Sequence, residues 1–318
     1  MSAQPQVQQP AVLREDRDGI ATLTMNRPQQ MNLLTSEMLS ALQDAFDSIQ
    51  KTPDIKVVVL AAAGKGFCAG HDLKEIRALG EQPKIAGLFS QCSRMMLAIQ
   101  RLPQPVIAKV QGAAAAAGCQ LVAQCDLAVA VDTAKFVTSG VTWGFFCSTP
   151  GVAIGRNLQR KHAMEMLLTG EPISAARALE WGLVNRVVPA GQLDSEVLQM
   201  AKTIASKPPA TLAAGKRAFE MLFTGEFIDA ETALAWGLIN RVARPERLDA
   251  EIAALVQLIK EKPPAVCAEG KHLFYDQIES TLANAYKIAS KAITLNMMGE
   301  DAGEGVGAFI EKRRPNWK

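Results

Sequence analysis

Two short segments place very small residues directly after predicted strands. The first, GKGFCAGHDLKE at residues 64–75, follows the apolar run KVVVLAAAG. Glycine and alanine present little or no side chain, so a ligand can approach the backbone of such a loop closely. Two backbone N–H groups that converge on one oxygen stabilise negative charge developing on that oxygen. This segment is therefore a candidate for backbone recognition of a reacting oxygen.

The second segment, VQGAAAAAGCQL at residues 110–121, follows the apolar run PVIAKV and leads into the helical pattern AAGCQLVAQC. The N-terminus of a helix presents unpaired N–H donors and the positive end of the helix dipole. Together, the two segments predict an oxyanion hole built from backbone N–H groups. The alternative interpretation is that both are tight strand-to-helix turns packed against their neighbours.

The elements that would position these loops follow from the apolar pattern of the first 150 residues. GIATLTMN alternates as a strand does, and SEMLSALQDAFDSIQ has apolar residues at helical spacing with Thr35 or Ser36 as its N-cap. KVVVLAAAG, PVIAKVQG and CDLAVAVD predict strands that are buried on both faces. Strands that alternate with helices in this order predict an α/β fold with parallel pairing.

The chain after residue 160 is mainly helical and contains a duplication. EMLLTGEPISAARALEWGLVNRV begins at Glu165, and EMLFTGEFIDAETALAWGLINRV begins at Glu220, 55 residues later. The offset holds without a gap to KPPA at Lys207 and Lys262. Both copies keep an apolar helix face, so both are expected to be buried or to lie at an interface. No helix breaker separates the copies at PPATLAAGKRAFEMLFTG, which predicts one longer helix there.

These patterns divide the chain into five parts. We expect a disordered lead at 1–12, an α/β core at 13–162, helical copies at 163–217 and 218–272, and C-terminal helices at 273–318.

Composition excludes several classes of protein. The chain has 318 residues and a formal net charge of +2, with no basic block typical of a nucleic-acid-binding protein. Its apolar stretches are too short to span a membrane, and its N-terminus lacks the features of a signal or transit peptide. Its six cysteines form no CxxC pair, which indicates reduced thiols. We therefore expect a cytoplasmic protein.

Several stretches, in the same order along the chain, resemble the crotonase superfamily, also called the enoyl-CoA hydratase/isomerase group. They are RPQQMNLL, FCAGHDLKE, PVIAKVQGAAAAAGCQL, CDLAVAVDTAKF, EMLLTGEPISAARALEWGLVNRVV and EGVGAFIEKRRPNW. The resemblance covers residues 18–318 apart from the extra repeat copy. It implies the crotonase fold, in which repeated ββα units precede a C-terminal helical region. It also implies a homotrimer or hexamer and a ligand or substrate that is an acyl-CoA or enoyl-CoA thioester, with no covalently bound cofactor.

The resemblance also assigns residues to this ligand. Ala69 and Ala117 match the two oxyanion-hole positions, so small side chains there would let the thioester oxygen reach the backbone. Lys312 would pair with a phosphate as a point charge. The resemblance implies contacts with coenzyme A at Met31, Leu33, Ala69, Gly70, His71, Asp72, Leu73, Phe309 and Lys312.

Two positions depart from the pattern of hydratases in this family, which use two glutamates to position and deprotonate water. Gln120 stands at the first position and Gly140 at the second. Glutamine orients water but does not take its proton near neutral pH, and glycine has no side chain. Each general acid–base group is worth roughly 10² to 10⁴ in rate, so little ordinary hydration is expected.

Other residues are candidate replacements for the two glutamates. His71 would serve as a base near neutral pH, or else hydrogen-bond locally and shape the pocket. Cys147 and Ser148 would supply a nucleophile only with a depressed pKa and a partner base, the alternative being a buried structural cysteine. Asp72 is predicted to cap a helix. His162 and His272 are expected to be surface or core residues, and the sequence shows no metal-ligand cluster.

The sequence therefore predicts a protein that binds a CoA thioester and has little hydratase activity. The alternative is a non-catalytic acyl-CoA-binding protein or a structural subunit of an oligomer.

Overall fold

The computed structural model describes residues 9–218, 234, 240–278 and 280–317. Its strands are β1 (Val12–Arg17), β2 (Ile20–Met25), β3 (Val57–Ala62), β4 (Val106–Val110), β5 (Ala114–Ala115), β6 (Leu127–Val131), β7 (Lys135–Val137), β8 (Ile173–Ser174) and β9 (Arg186–Val188). Its helices are α1 (Ser36–Gln50), α2 (Leu73–Leu79), α3 (Gln82–Arg101), α4 (Ala117–Gln124), α5 (Ser148–Asn157), α6 (Arg160–Thr169), α7 (Ala175–Glu180), α8 (Leu193–Ala205), α9 (Pro209–Ala218), α10 (Leu248–Lys260), α11 (Pro264–Ile278), α12 (Leu282–Met297) and α13 (Glu300–Glu311).

The strands form two sheets. The larger has the order β1-β2-β3-β4-β6-β9, in which β1 runs antiparallel to β2 and every other pair is parallel. The smaller joins β5 to β7 in parallel and β7 to β8 antiparallel. Parallel pairing requires long crossover connections, and α1, α3 and α4 provide them. The predicted α/β fold with parallel strands is confirmed.

Local sequence signals explain the first crossover. The side chain of Thr35 accepts a hydrogen bond from the N–H of Met38, so Thr35 is the N-cap of α1. The helix then buries one apolar face, which includes Leu39, Leu42 and Phe46. In β3, the first five residues are buried, as expected for a strand covered on both faces.

The helices cover the larger sheet and extend the core. α8 packs on β2, β3, β4 and β6, while α3 packs between α1 and α12. The helices α4, α11 and α12 all pack against α5. α12 therefore packs on α3 and α13 packs on α2, and both α2 and α3 follow the first candidate loop.

One sequence expectation needs adjustment, and another falls outside the described residues. Ordered structure begins before the end of the predicted lead, because Ala11 is buried and accepts a hydrogen bond from the N–H of Asn26. The predicted longer helix between the repeat copies lies outside the described residues beyond Ala218. No helix in the described part of the chain is both long and apolar enough to cross a bilayer.

Candidate functional site

The two candidate loops are joined to each other by backbone hydrogen bonds. The N–H of Phe67 donates to the carbonyl of Ala113 at 2.9 Å, and the N–H of Ala115 donates to the carbonyl of Cys68 at 2.8 Å. Cys68 and Ala114 form a parallel bridge. The loop that follows β3 and the loop that follows β4 therefore form one continuous surface.

Two glycines are required for this contact. A Cβ atom at Gly112 would overlap the carbonyl oxygen of Lys65, and one at Gly118 would overlap the carbonyl oxygen of Cys68. A clash with backbone is not relieved by side-chain rotation, so only glycine fits at either position. At these two glycines, packing of one loop on the other accounts for the small residues, as the tight-turn interpretation expected.

A cavity of about 490 Å³ opens between these loops and the helices beyond them. Residues from both loops line it, including Ala69, His71, Ala116, Ala117 and Gly140. The other walls are mostly apolar and include Leu33, Ile76, Phe89, Trp143, Phe145, Ile293, Met297 and Phe309. A largely apolar cavity with a few polar groups at one end is the usual form of a small-molecule site.

The expected donor at Ala69 is not available. Its N–H donates to the carbonyl of Met31 at 3.0 Å, so Ala69 lines the cavity without offering a free N–H. The prediction of Ala69 as an oxyanion donor is therefore wrong for this conformation. Among the described residues, the N–H groups of His71 and Ala117 donate to no acceptor. Both of these residues line the cavity.

Gly70 brings these two N–H groups close together. Its φ is +90°, a backbone conformation that L residues with side chains rarely adopt. A Cβ on Gly70 would lie 3.2 Å from the backbone nitrogen of Ala117 and 3.0 Å from the carbonyl oxygen of Ala115. The residue that follows Gly70 is His71. The glycine at position 70 is the feature of the sequence that indicates His71, and not Ala69, as the donor.

The backbone at Ala116 turns sharply directly before Ala117. Its φ of +49° and ψ of −117° lie in a region that favours glycine. Its own N–H donates to the carbonyl of Val137 at 2.8 Å, which fixes the peptide before the turn. α4 then begins at Ala117, whose N–H has no partner within the helix. This donor therefore sits at the positive end of the α4 dipole.

His71 is a neutral side chain at the edge of the cavity. Its Nδ1–H donates to the carbonyl of Leu34 at 3.1 Å, and its ring meets Phe89 edge-on at 5.2 Å. Burial lowers the pKa of His71 to about 4, and the hydrogen bond to Leu34 opposes this shift only in part. Nε2 is buried and has no hydrogen-bond partner in the described structure. The ring shapes the pocket, and its low pKa makes it a weak base.

Gln120 and Gly140 occupy different environments. Gln120 is fully buried and does not line the cavity. It lies near the phenol of Tyr286, whose hydroxyl donates to Gln124 and whose pKa is raised by burial. Gly140 lines the cavity, and a Cβ there would come within 2.8 Å of both Cys147 Sγ and the carbonyl oxygen of Phe145.

Cys147 and Ser148 do not form a nucleophilic site. Burial raises the pKa of the Cys147 thiol to about 12, although a hydrogen bond from Gly140 opposes the shift. Cys147 is therefore a protonated thiol near neutral pH. The Ser148 hydroxyl donates to the carbonyl of Phe146 at 3.3 Å. In the described part of the chain, no group of His, Cys, Asp and Glu residues could hold a metal ion.

The residues expected to contact coenzyme A are only partly brought together. The cavity lining includes Leu33, Ala69, His71, Asp72, Leu73 and Phe309, but not Met31, Gly70 or Lys312. The carboxylate of Asp72 accepts the N–H of Lys74 at 2.8 Å, which confirms Asp72 as the N-cap of α2. Lys312 is exposed at the end of α13.

Sequence reasoning missed much of the apolar wall. Phe89 comes from α3, Ile293 and Met297 come from α12, and Trp143 meets Phe309 edge-on at 4.8 Å. These residues are ordinary apolar positions of helices or turns, and only the tertiary packing shows that they share a cavity. His162 is buried and stacked on Trp181, whereas His272 is exposed, as the sequence analysis allowed.

Comparison with known proteins gives consistent similarities. The family model described as enoyl-CoA hydratase/isomerase matches residues 15–220 and 213–318. The enoyl-CoA hydratase domain-containing protein 3 of Rattus norvegicus is 38% identical over 301 residues, which cover 95% of this chain and 82% of the rat protein. The rat protein's name places it in mitochondria. That similarity does not confirm the cytoplasmic location expected for this chain, which stays a prediction.

Solved structures agree with the predicted crotonase fold. An enoyl-CoA hydratase from Mycobacterium smegmatis is 44% identical and aligns with a TM-score of 0.65, covering 97% of this chain and 99% of that one. Human enoyl-CoA hydratase domain-containing protein 3 is 36% identical and aligns with a TM-score of 0.63, covering 96% of this chain and all of the human one, at 100%.

Proposed function

Because the chain belongs to the enoyl-CoA hydratase/isomerase family, we propose that its cavity binds a coenzyme A thioester through two backbone N–H groups. The carbonyl oxygen of the thioester lies between the N–H of His71 and the N–H of Ala117. The observation that carries this proposal is the pair of unpaired N–H donors on adjacent loops at one end of an apolar cavity. Such donors stabilise negative charge on a carbonyl oxygen without reorganising.

The surroundings of these donors fit a thioester. Ala117 begins α4, so the helix dipole adds to the attraction of its N–H for negative charge. The apolar walls formed by Phe89, Trp143 and Ile293 provide a water-poor environment for an acyl group. In such surroundings an electrostatic contact is stronger than the same contact in water. Phe309 lines the cavity and is half exposed, so the cavity opens to solvent beside it. The rest of the ligand would leave the cavity at this opening.

The proposed activity does not include efficient hydration. Among the described residues that line the cavity, Asp72 is the one carboxylate, and it caps α2. Gln120 lies outside the lining, and Gly140 offers no side chain. His71 is a weak base because of its low pKa, and its Nε2 is buried. We therefore favour thioester binding with little turnover of enoyl-CoA by water addition.

Calorimetric titration tests the binding. A short 2-enoyl-CoA is compared with the matching S-alkyl CoA thioether, which lacks the carbonyl oxygen. We expect the thioester to bind about tenfold or more tightly than the thioether, because hydrogen bonds to a polarised carbonyl contribute at least about 1.4 kcal/mol together. Equal affinities would contradict the role of the two N–H groups, and no binding of either compound would contradict the ligand class.

A second assay separates binding from hydration. Hydration removes the conjugated double bond, so the absorbance of 2-enoyl-CoA falls as the reaction proceeds. We expect this absorbance to stay nearly constant at protein concentrations that saturate the binding site. A rapid fall would show that another residue moves the proton. The homotrimer or hexamer expected from the family resemblance is part of the same proposal, and light scattering that shows only a monomer would contradict it.

A further inference from the structure

Two copies of one helix lie in different environments in this structure. α8 covers the face formed by β2, β3, β4 and β6, which we call the docking face. α10 is the copy of α8, 55 residues later in the chain, and contacts α6 instead. Leu193 and Val197 of α8 are 4% and 3% exposed, whereas the equivalent Leu248 and Ile252 of α10 are 50% and 51% exposed.

The residues of α8 that make polar contacts are duplicated in α10 as well. Lys109 of β4 pairs with Asp194 of α8, Nζ to Oδ1, at 2.7 Å. The equivalent of Asp194 in α10 is Asp249, which is exposed. Arg186 of β9 pairs with Glu196 of α8, and the same pair recurs in the second copy between Arg241 and Glu251 at 3.2 Å.

We propose that α8 and α10 compete for the docking face, so that the chain has two packing registers. In the second register α10 covers β2, β3, β4 and β6, buries Leu248 and Ile252, and places Asp249 against Lys109. α8 then leaves the face. The duplicated residues make the two arrangements chemically equivalent in their main contacts, and two states that differ little in free energy are both populated.

Opposing effects keep the two registers close in stability. Exposure of Leu248, Ile252 and Val256 in the present register leaves an apolar row in water, which docking of α10 would remove. Docking of α10 also replaces the fully buried Ala201 by the larger Val256, and overpacking of a filled core is unfavourable. Neither helix therefore has a large advantage on the docking face.

Thiol cross-linking with a short bifunctional maleimide tests the proposal in the full chain, because the contact spans the length of a lysine side chain and exceeds the reach of a disulfide. Lys109→Cys is combined with Asp194→Cys, with Asp249→Cys, or with Ala254→Cys as a control on another side of α10. Cys267→Ser is introduced throughout because Cys267 is half-buried, whereas the other described cysteines are buried. After reaction with the cross-linker, we expect intrachain bonds with position 194 and with position 249, and at least about tenfold less with position 254.

The other outcomes of trapping overturn the proposal. Bonding with position 194 alone would mean that α10 never reaches the docking face. Bonds at position 249 that join two chains would mean that a second copy of the protein covers α10. Equal trapping at positions 249 and 254 would mean that α10 approaches Lys109 without a defined packing.

A pair of charged substitutions provides an independent test. Val197→Asp places a charge on the buried side of α8, against the docking face. Ile252→Asp is the matched change at the equivalent position of α10. We expect each single variant to stay folded, because the other helix occupies the docking face, with thermal midpoints within about 4 °C of the parent chain. The double variant should lose more than about 10 °C, since no copy then docks without a buried charge. A Val197→Asp variant as unstable as the double variant would overturn the proposal.

Discussion

The backbone N–H of Gly140 donates a hydrogen bond to Cys147 Sγ at 3.1 Å in the wall of the cavity. This contact, together with the nearby carbonyl of Phe145, fills the space that a side chain at position 140 would need. Neighbouring atoms therefore occupy the space beside Gly140. An acidic side chain cannot be added at this position without moving the backbone.

The first prediction concerns Gly140 itself. Gly140→Ala and Gly140→Glu should each lower the free energy of unfolding by about 1–3 kcal/mol, because the new Cβ meets the backbone at Phe145. Gly151→Ala is the matched control, since its Cβ would lie 3.5 Å from Leu167, an ordinary contact distance. In urea unfolding, the control variant should have a slightly higher free energy of unfolding than the parent chain, because alanine favours a helix. A stable Gly140→Glu variant would contradict this account.

The second prediction concerns Gln120. Restoring a carboxylate by Gln120→Glu should not restore hydration, because position 120 is fully buried and does not line the cavity. Burial near Tyr286 would also favour the protonated form of the new carboxyl group. The measurement is the absorbance of 2-enoyl-CoA over time, with Gln120→Met as the uncharged control. A rate in the Gln120→Glu variant at least about 10²-fold above the control would show that the side chain reaches the reacting atoms.

The third prediction concerns the strained backbone before the N–H of Ala117. Ala116→Gly should stabilise the fold by about 0.5–2 kcal/mol, since glycine relieves the positive φ while adding some freedom to the unfolded chain. Ala117→Gly is the control within α4 and should destabilise by about 0.5–1 kcal/mol. Chemical denaturation of both variants measures the sign of the change in the free energy of unfolding. Destabilisation by Ala116→Gly would mean that the conformation at position 116 carries no strain.

The fourth prediction concerns pH. The pKa of His71 is lowered to about 4 from its ordinary 6.5 by burial. As pH falls below 6.5, the unfolded chain binds a proton at His71 before the folded chain does, so the free energy of unfolding falls with pH. The loss is complete below about pH 4 and amounts to about 3 kcal/mol at most. Above pH 6.5, His71 does not make the free energy of unfolding depend on pH.

Comparison of the parent chain with His71→Asn isolates this contribution. Asparagine retains an amide that can donate to the carbonyl of Leu34 but does not titrate in this range. Denaturation curves between pH 7 and pH 4 should therefore be less dependent on pH in the variant. An identical pH dependence in the two proteins would show that His71 is not held in its neutral form by the fold.

Local sequence signals predicted the elements but not the final identity of the donors. The alternating run that became β2, the apolar run that became β3 and the Thr35 cap depend on neighbours in the chain, so the sequence contains them. The motif AGHD predicts Ala69 as a donor from its position alone. The N–H of Ala69 donates to the carbonyl of Met31, which lies more than thirty residues earlier in the chain, and only the folded loop brings the two together.

The duplication shows a second limit of sequence reasoning. Similar apolar patterning predicted buried or interface positions for both helical copies, and α8 agrees. In α10 the apolar residues Leu248, Ile252 and Val256 are about half exposed, so for this copy an interface stays a prediction. Apolar periodicity identifies which face of a helix is apolar. Whether another surface covers that face depends on the tertiary structure.

The most direct test of the account is the carbonyl stretching frequency of a bound 2-enoyl-CoA, measured by Raman or infrared difference spectroscopy with a ¹³C-labelled thioester carbonyl. Hydrogen bonds from His71 and Ala117 should polarise the carbonyl, so the account predicts a lower frequency for the bound thioester than for the same compound in water. A bound thioester whose carbonyl frequency is unchanged or higher would contradict the assignment of these two N–H groups as the oxyanion hole.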